Sequence, residues 1–220
     1  MTPLRLIPPA TALLLLLSAA LASAQGFKFS NEDQADKAAA AEHQAAVDSL
    51  LATPCREKIR NQKIMVLIGE NRNGTLLTKQ GVYDPQFNAI NSRLRGLGLR
   101  TYTAAEIKAQ VAQAEIDAYF KNDPDAAISA SKRLAAQYIL RGLIETDLSH
   151  NAMVNVNQVA VRMNFTLTGA NGRMISEATA KDESYAGRDV LGMATTLINE
   201  RAQDVVAQLY SDYCRKAGIK

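Results

Sequence analysis

The sequence predicts an α/β fold, of the α+β kind, in which helices pack a mixed sheet. Three features predict it: a short branched apolar run at 63–69, an alternating hairpin in the carboxyl half, and a long amphipathic helix at the end. Residues 31–52 are rich in Ala, Glu, Gln, Asp and Lys, which lose little side-chain freedom in a helix. Ser30-Asn31 can cap this segment and Thr53-Pro54 stops it. Its apolar positions are mostly alanine, so it reads as an appendage. Lys63 to Gly69 has no polar side between its branched residues, the pattern of a strand buried on both faces. A polar, glycine-containing connection follows over 70–81. A helix over 84–97 can then bury Phe87, Ile90, Leu94 and Leu97, with Gly96 and Gly98 placed to end it.

A short strand is expected at 99–102. Thr103 and Glu106 have the spacing of a capping box and open a helix that reads through to 120. Asp123-Pro124 caps and starts another, to about 135. Strand character begins at 138–144. From 154 to 168 alternation places Val159, Val161, Met163, Phe165 and Leu167 on one face and Ala160, Arg162, Asn164, Thr166 and Thr168 on the other. Asn171-Gly172 marks a hairpin turn with positive φ at both central residues, and 173–185 is the returning strand. The last helix, 188–214, carries the stripe Leu191, Ala194, Ile198, Ala202, Val205, Leu209 and Tyr213.

Arg5, an apolar run from Ala10 to Ala22 and the small-residue site Ala22-Ser23-Ala24 have the layout of a secretory signal cleaved before Gln25. The apolar run is shorter than the ~20 residues of a membrane-spanning helix, so no membrane anchor is expected after cleavage. Residues 25–62 then form a helical extension and 63–217 a single α/β domain in the periplasm. The net charge of +3 includes Arg5, and this near balance gives no case for nucleic acid. Cys55 and Cys214 are the only cysteines. In an oxidising compartment they are expected to form a disulfide rather than two free thiols, and their separation is unlike the C-x-x-C spacing of redox catalysts.

The element order carries two local motifs. Ala135-Ala136-Gln137-Tyr138-Ile139-Leu140-Arg141-Gly142 opens a strand, and a hairpin turns through Gly169-Ala170-Asn171-Gly172-Arg173-Met174-Ile175. Together they resemble a group of envelope domains. The group includes the periplasmic domain of the curli secretion channel, the outer-membrane activators of penicillin-binding proteins, the amino-terminal domain of TolB and part of flagellar assembly protein T. The resemblance spans about 63–210. It implies a periplasmic interaction or assembly module whose partner is an envelope protein. Activation of a peptidoglycan synthase and flagellar assembly are the finer alternatives, and an unrecognised hydrolase is the alternative from another class. The channel and the activators are lipoproteins, whereas the residue expected to follow cleavage here is Gln25 rather than cysteine, and the chain has no amphipathic insertion suited to a pore.

No catalytic constellation stands out. Gly69 to Gly74 has the glycine spacing of a phosphate loop, but Thr75-Leu76 follows where Lys-Ser/Thr is required. His43 and His150 belong to no ligand pattern and read as solvated side chains. The nearest carboxylate pairs are Asp123 with Asp125, explained by helix capping, and Asp182 with Glu183, explained by an exposed strand end. Neither an enzyme nor a cofactor or metal is expected. The candidate partner surface comprises Glu70, Arg72 and Tyr83 of the 70–83 connection with the basic residues Arg93, Arg95 and Arg100. The polar face with Arg162, Asn164 and Thr166 is a second candidate, unless helices cover it. Oligomeric state is left open by the sequence.

Overall fold

The computed structural model describes residues 30–72, 74–81 and 84–217. The expected signal segment and Tyr83 lie outside the described residues. The chain divides between Ala40 and Ala41 into two compact units. Of the first, the described residues are the opening turns of α1 (Ser30–Leu51), exposed from Asp33 to Ala40.

The second unit is built on one six-stranded mixed sheet. Its strands are β1 (Lys63–Arg72), β2 (Thr75–Leu77), β3 (Arg100–Thr101), β4 (Tyr138–Asn151), β5 (Val156–Gly169) and β6 (Met174–Tyr185). The order is β2-β1-β4-β5-β6, with β3 against the start of β1. β1 runs parallel to β3 and β4, and the other pairings are antiparallel. Helices α3 (Asp84–Gly96) and α7 (Val190–Ala217) pack on one face. The opposite face, over β1 and β4, carries α4 (Ala104–Gln110), α5 (Gln113–Phe120) and α6 (Pro124–Leu134). A single-turn helix, α2 (Arg56–Ile59), precedes β1. Residues 63–69 are buried on both faces because helices cover both sides there, with Met65 and Val66 fully inaccessible.

β1 does not stop at Gly69. It continues to Arg72 and pairs directly with β2, in the register Arg72↔Thr75, with Gly74 at φ +80. The expected polar connection is therefore a two-residue hairpin followed by a loop. Gly74 supplies the positive φ that such a turn requires. Between β2 and β3, the edge of β1 has a gap in its ladder. Gln80, only 2% exposed, fills it: its amide donates to Ile68 O at 2.8 Å while its oxygen accepts from Ile68 N–H at 3.1 Å. One side chain thus takes the place of a strand residue, as a buried backbone requires.

On β5 the alternating apolar residues face α7, as their periodicity predicts, and all five are buried. Phe165 lies across Gly142 of the neighbouring strand. A Cβ at that glycine would overlap the Phe165 ring and stand 2.8 Å from Ile68 Cδ1, so this position accepts no side chain. The β5–β6 turn is wider than a two-residue hairpin. The ladder shifts by one residue at Leu167/Thr168, Gly169 N–H donates to Arg173 O, and only Gly172 has positive φ. The bulge takes up the extra residue that a tight turn would have excluded.

The helix expected over 104–120 is two helices. Val111, β-branched, is extended at φ −114 and ψ 122, and Glu115 restarts the chain by accepting from Ala112 N–H at 3.1 Å. The Thr103–Glu106 capping box is present, and Asp123 caps α6 by accepting from Asp125 N–H at 3.0 Å.

α7 ties the unit together. Its Ile198, Ala202, Val205 and Leu209 are buried on the sheet. Arg201 donates to Asp182 on β6 at 2.8 Å, Asp212 accepts from Ser176 at 2.7 Å, and the Tyr213 and Tyr138 hydroxyls meet at 2.6 Å. Burial, then the contact with Tyr213, pushes the Tyr138 hydroxyl well above its ordinary pKa. Cys214 is joined to Cys55 in a buried disulfide with Cα atoms 5.6 Å apart, closing a separation of 159 residues.

Three outcomes follow for stability. Gly142→Ala should lower unfolding free energy by at least about 1–3 kcal/mol, and adding Phe165→Leu should recover part of that loss in a double-mutant cycle. Simple additivity in urea titrations would refute the steric account. Gln80→Leu strands both backbone groups of Ile68 and should cost about 2–4 kcal/mol; a loss under about 0.5 kcal/mol would mean the gap is filled otherwise. Replacing both cysteines by serine should lower the melting temperature by about 5–15 °C, read by circular dichroism.

Candidate partner surface

Among the described residues, Glu70, Arg93, Arg95 and Arg100 do not lie together on one surface. Glu70 is 5% exposed, because β1 continues past Gly69 and its even positions face the α3/α7 layer. It is corrected from a surface residue to a buried one. Arg72 ends β1. Arg100 pairs with Lys63 at the other end of β1, roughly 23 Å from Glu70 at ~3.3 Å per residue. Arg93 is held between helices, donating to Ala89 O at 2.8 Å and to Asn199 O at 2.7 Å. Burial lowers its pKa, and the Asp204 carboxylate opposes that effect. Arg95 and Arg100 are exposed, and Arg100 stands beside Lys63.

The second candidate is uncovered. α4, α5 and α6 reach over β1 and β4, where Phe120 lies on Gly69 and Arg141 donates to Asn122 Oδ1 at 2.9 Å and sits 5.3 Å from the Tyr119 ring. They stop there. On the outer face of β6, Glu177, Thr179, Lys181, Glu183 and Tyr185 are all exposed, and beside them on β5 Arg162 is exposed with Asn164 and Thr166 half-buried. A polar ladder crosses the strands: Asn71 Nδ2 donates to Glu145 Oε1 at 3.1 Å, and Arg162 Nη1 donates to Glu145 Oε2 at 3.2 Å. Next to it is an open groove of about 420 Å³ lined by Asp147, Arg162, Lys181 and Glu183. Arg162 faces Lys181 in one row, and Asp147 and Glu183 flank Ala160 in the next, so the groove carries both signs in balance, which suits hydrogen bonding to a polar protein surface better than capture of a strong anion or cation.

Beyond Glu145 the β4–β5 pair projects past the end of β1. Its exposed apolar residues are Leu148, 63% exposed, Met153, 95% exposed, and Val154. A second trough, of about 790 Å³, runs beside β2 between Leu76, Leu77 and α5. There Asp117 accepts from Thr78 and, at 2.7 Å, from Gln113, and these hydrogen bonds hold its carboxyl below the usual carboxylate range.

The groups weighed for chemistry are kept apart. Asp123 caps α6, while Asp182 is bound to Arg201 and Glu183 points to solvent on the opposite face. His43 is not simply solvated: its Nε2 lies 2.8 Å from Asp204 Oδ1 and 3.2 Å from Arg201 Nη1 on α7. His150 is exposed, with Nδ1 3.1 Å from Asn157 Oδ1. Among the described residues no group of three or more His, Cys, Asp or Glu could hold a metal ion, and no helix is long and apolar enough to cross a membrane. The apolar cavity between α3, α7 and the sheet has only about 30 Å³, the room of a single water. Lys181 and Thr179 were missed by sequence reading; the alternation of 174–185 gave their face, but nothing in it told where the helical cover ends.

No described family matches the sequence, and no curated protein does either. Among solved structures, the chain is similar to the hypothetical protein CT253 of Chlamydia trachomatis, at 12% identity over 70% of this chain and 99% of that one, with a TM-score of 0.49. It is similar to lipoprotein GNA1162 of Neisseria meningitidis, at 14% identity over 65% and 99% of the two chains, with a TM-score of 0.42. It is also similar to LpoB of Escherichia coli, at 15% identity over 60% and 65%, with a TM-score of 0.38. At these identities and scores none of the three assigns a function to this chain.

Proposed function

We propose that this chain is a non-enzymatic interaction and assembly module of the bacterial envelope, exported to the periplasm, that binds an envelope protein through the bare outer face of β5 and β6. The observation that carries the reading is that face. Five consecutive outward positions of β6 are exposed on a rigid strand that α7 and the disulfide hold from behind. Rigid, polar, uncovered sheet surface loses little conformational freedom when a partner docks, so its hydrogen bonds and charge pairs contribute to affinity and register. The export signal and the sequence resemblance to envelope domains support the compartment and the class of partner. Finer roles, activation of a peptidoglycan synthase or flagellar assembly, separate by gene deletion: weakened walls mark the first, lost motility with sound walls the second.

A photo-crosslinking residue placed at Thr179 should capture one envelope protein in living cells, and Lys181→Glu should reduce that capture at least about fivefold. The same residue placed at exposed Gln110, the last residue of α4, should not capture it. Equal capture from both positions would sink the proposal.

A further inference from the structure

β4 has 14 residues, but β1 accompanies it only from Tyr138 to Glu145. Residues 146–151 continue with β5 on one side and, among the described residues, no strand on the other. Two hydrogen bonds fix which backbone groups are left over. Ala170 N–H donates to Gln137 O at 2.9 Å and Ala186 N–H donates to Asn157 O at 2.8 Å. In an antiparallel ladder, residues alternate between facing one neighbour and the other. Odd-numbered residues of β4 therefore exchange bonds with even-numbered residues of β5, and the even-numbered residues of β4 face the β1 side. Past the end of β1, the N–H and C=O groups of Leu148 and His150 point along an open edge.

Most such edges are blunted by lysine, proline, a bulge or a cover. Thr146-Asp147-Leu148-Ser149-His150-Asn151 has no lysine or proline, its ladder has no register shift, and its side chains are exposed or half-exposed. Asp147 is its one acidic residue.

We infer that this edge pairs antiparallel with the same edge of a second copy, across a two-fold axis perpendicular to the sheet. With Leu148 of one copy opposite His150 of the other, both copies satisfy these N–H and C=O groups, for four new backbone bonds. Like faces then meet like faces: Ser149 stands opposite Ser149, and each Asp147 carboxylate stands opposite an Asn151 amide that can donate to it. No like charges oppose each other in this register, and the exposed Leu148 is covered by the other copy's His150 ring. The six-residue notch beyond β1 is as long as the arm that fills it. Because the axis is perpendicular to the sheet, the two bare β5–β6 faces point the same way, so the dimer displays its polar surface twice and gains from a multivalent partner.

A six-residue edge is a small interface, so association in the range of about 10–100 µM is expected. Sedimentation equilibrium on the exported, purified protein should show a monomer–dimer equilibrium in that range. In the same samples, hydrogen exchange at the Leu148 and His150 amides should slow at least about tenfold as the dimer forms, while the Ser149 amide, bonded to β5 throughout, should not change. His150→Pro removes an outward N–H without touching the β4–β5 ladder, and should weaken dimerisation at least about tenfold with the circular dichroism spectrum preserved. A protein that stays monomeric at about 500 µM, a dimer with unchanged exchange at Leu148 and His150, or a folded His150→Pro protein that dimerises normally would overturn the inference. Should His150→Pro not fold, the exchange measured on the unaltered protein decides by itself.

Discussion

A backbone amide or carbonyl buried without a partner costs more than most side-chain contacts return, and the arrangement of this sheet follows from that constraint. β1 is inaccessible along its middle, so each of its edges must be matched. β4 matches one edge in parallel; the other is divided among β3, Gln80 and β2. Where β1 ends the obligation lapses, and β4 runs on into solvent with one edge open. The closed centre and the open arm are thus two results of one rule, separated by whether water can reach the strand.

Two layers of helix stabilise the sheet unequally. α3 and α7 cover one face, and α7 is held to β6 by Arg201–Asp182 and Ser176–Asp212 and to the segment after α1 by Cys55–Cys214. Tyr210 adds a bond from its hydroxyl to Thr53 O at 2.5 Å beside the disulfide. The other layer is built of short helices, interrupted at Val111 and at Asn122, where φ is +69. Short helices span less of a sheet, and β5 and β6 are left bare on that side. The surface available for recognition is what this uneven cover leaves over, on strands too well supported to shift. The apolar space between α3, α7 and the sheet is about 30 Å³, whereas the polar groove over β5 and β6 is open to solvent.

Much of the fold was legible in the amino-acid order because its signals are local. The Thr103–Glu106 box, the Asp123-Pro124 start, the alternation from Val159 to Leu167 and the stripe of the last helix each arise from neighbours a few residues apart, and hydrophobic period determines them without reference to the rest of the chain. Tertiary structure decided what depends on distant residues. Gln80 looks like any loop glutamine until β1 is seen to lack a neighbour there. Glu70 reads as surface until the strand runs past it, and Gly142 as a weak point until Phe165 lies across it. Glu70 and Arg100 lie apart because Arg100, on β3, stands beside the start of β1 and Glu70 near its end, while the bare β6 face and the open β4 edge exist only because α4 to α6 and β1 stop short. Sequence alone determined which faces of these strands are polar; where the cover over them ends is a long-range outcome of packing, and that decided which polar face meets solvent.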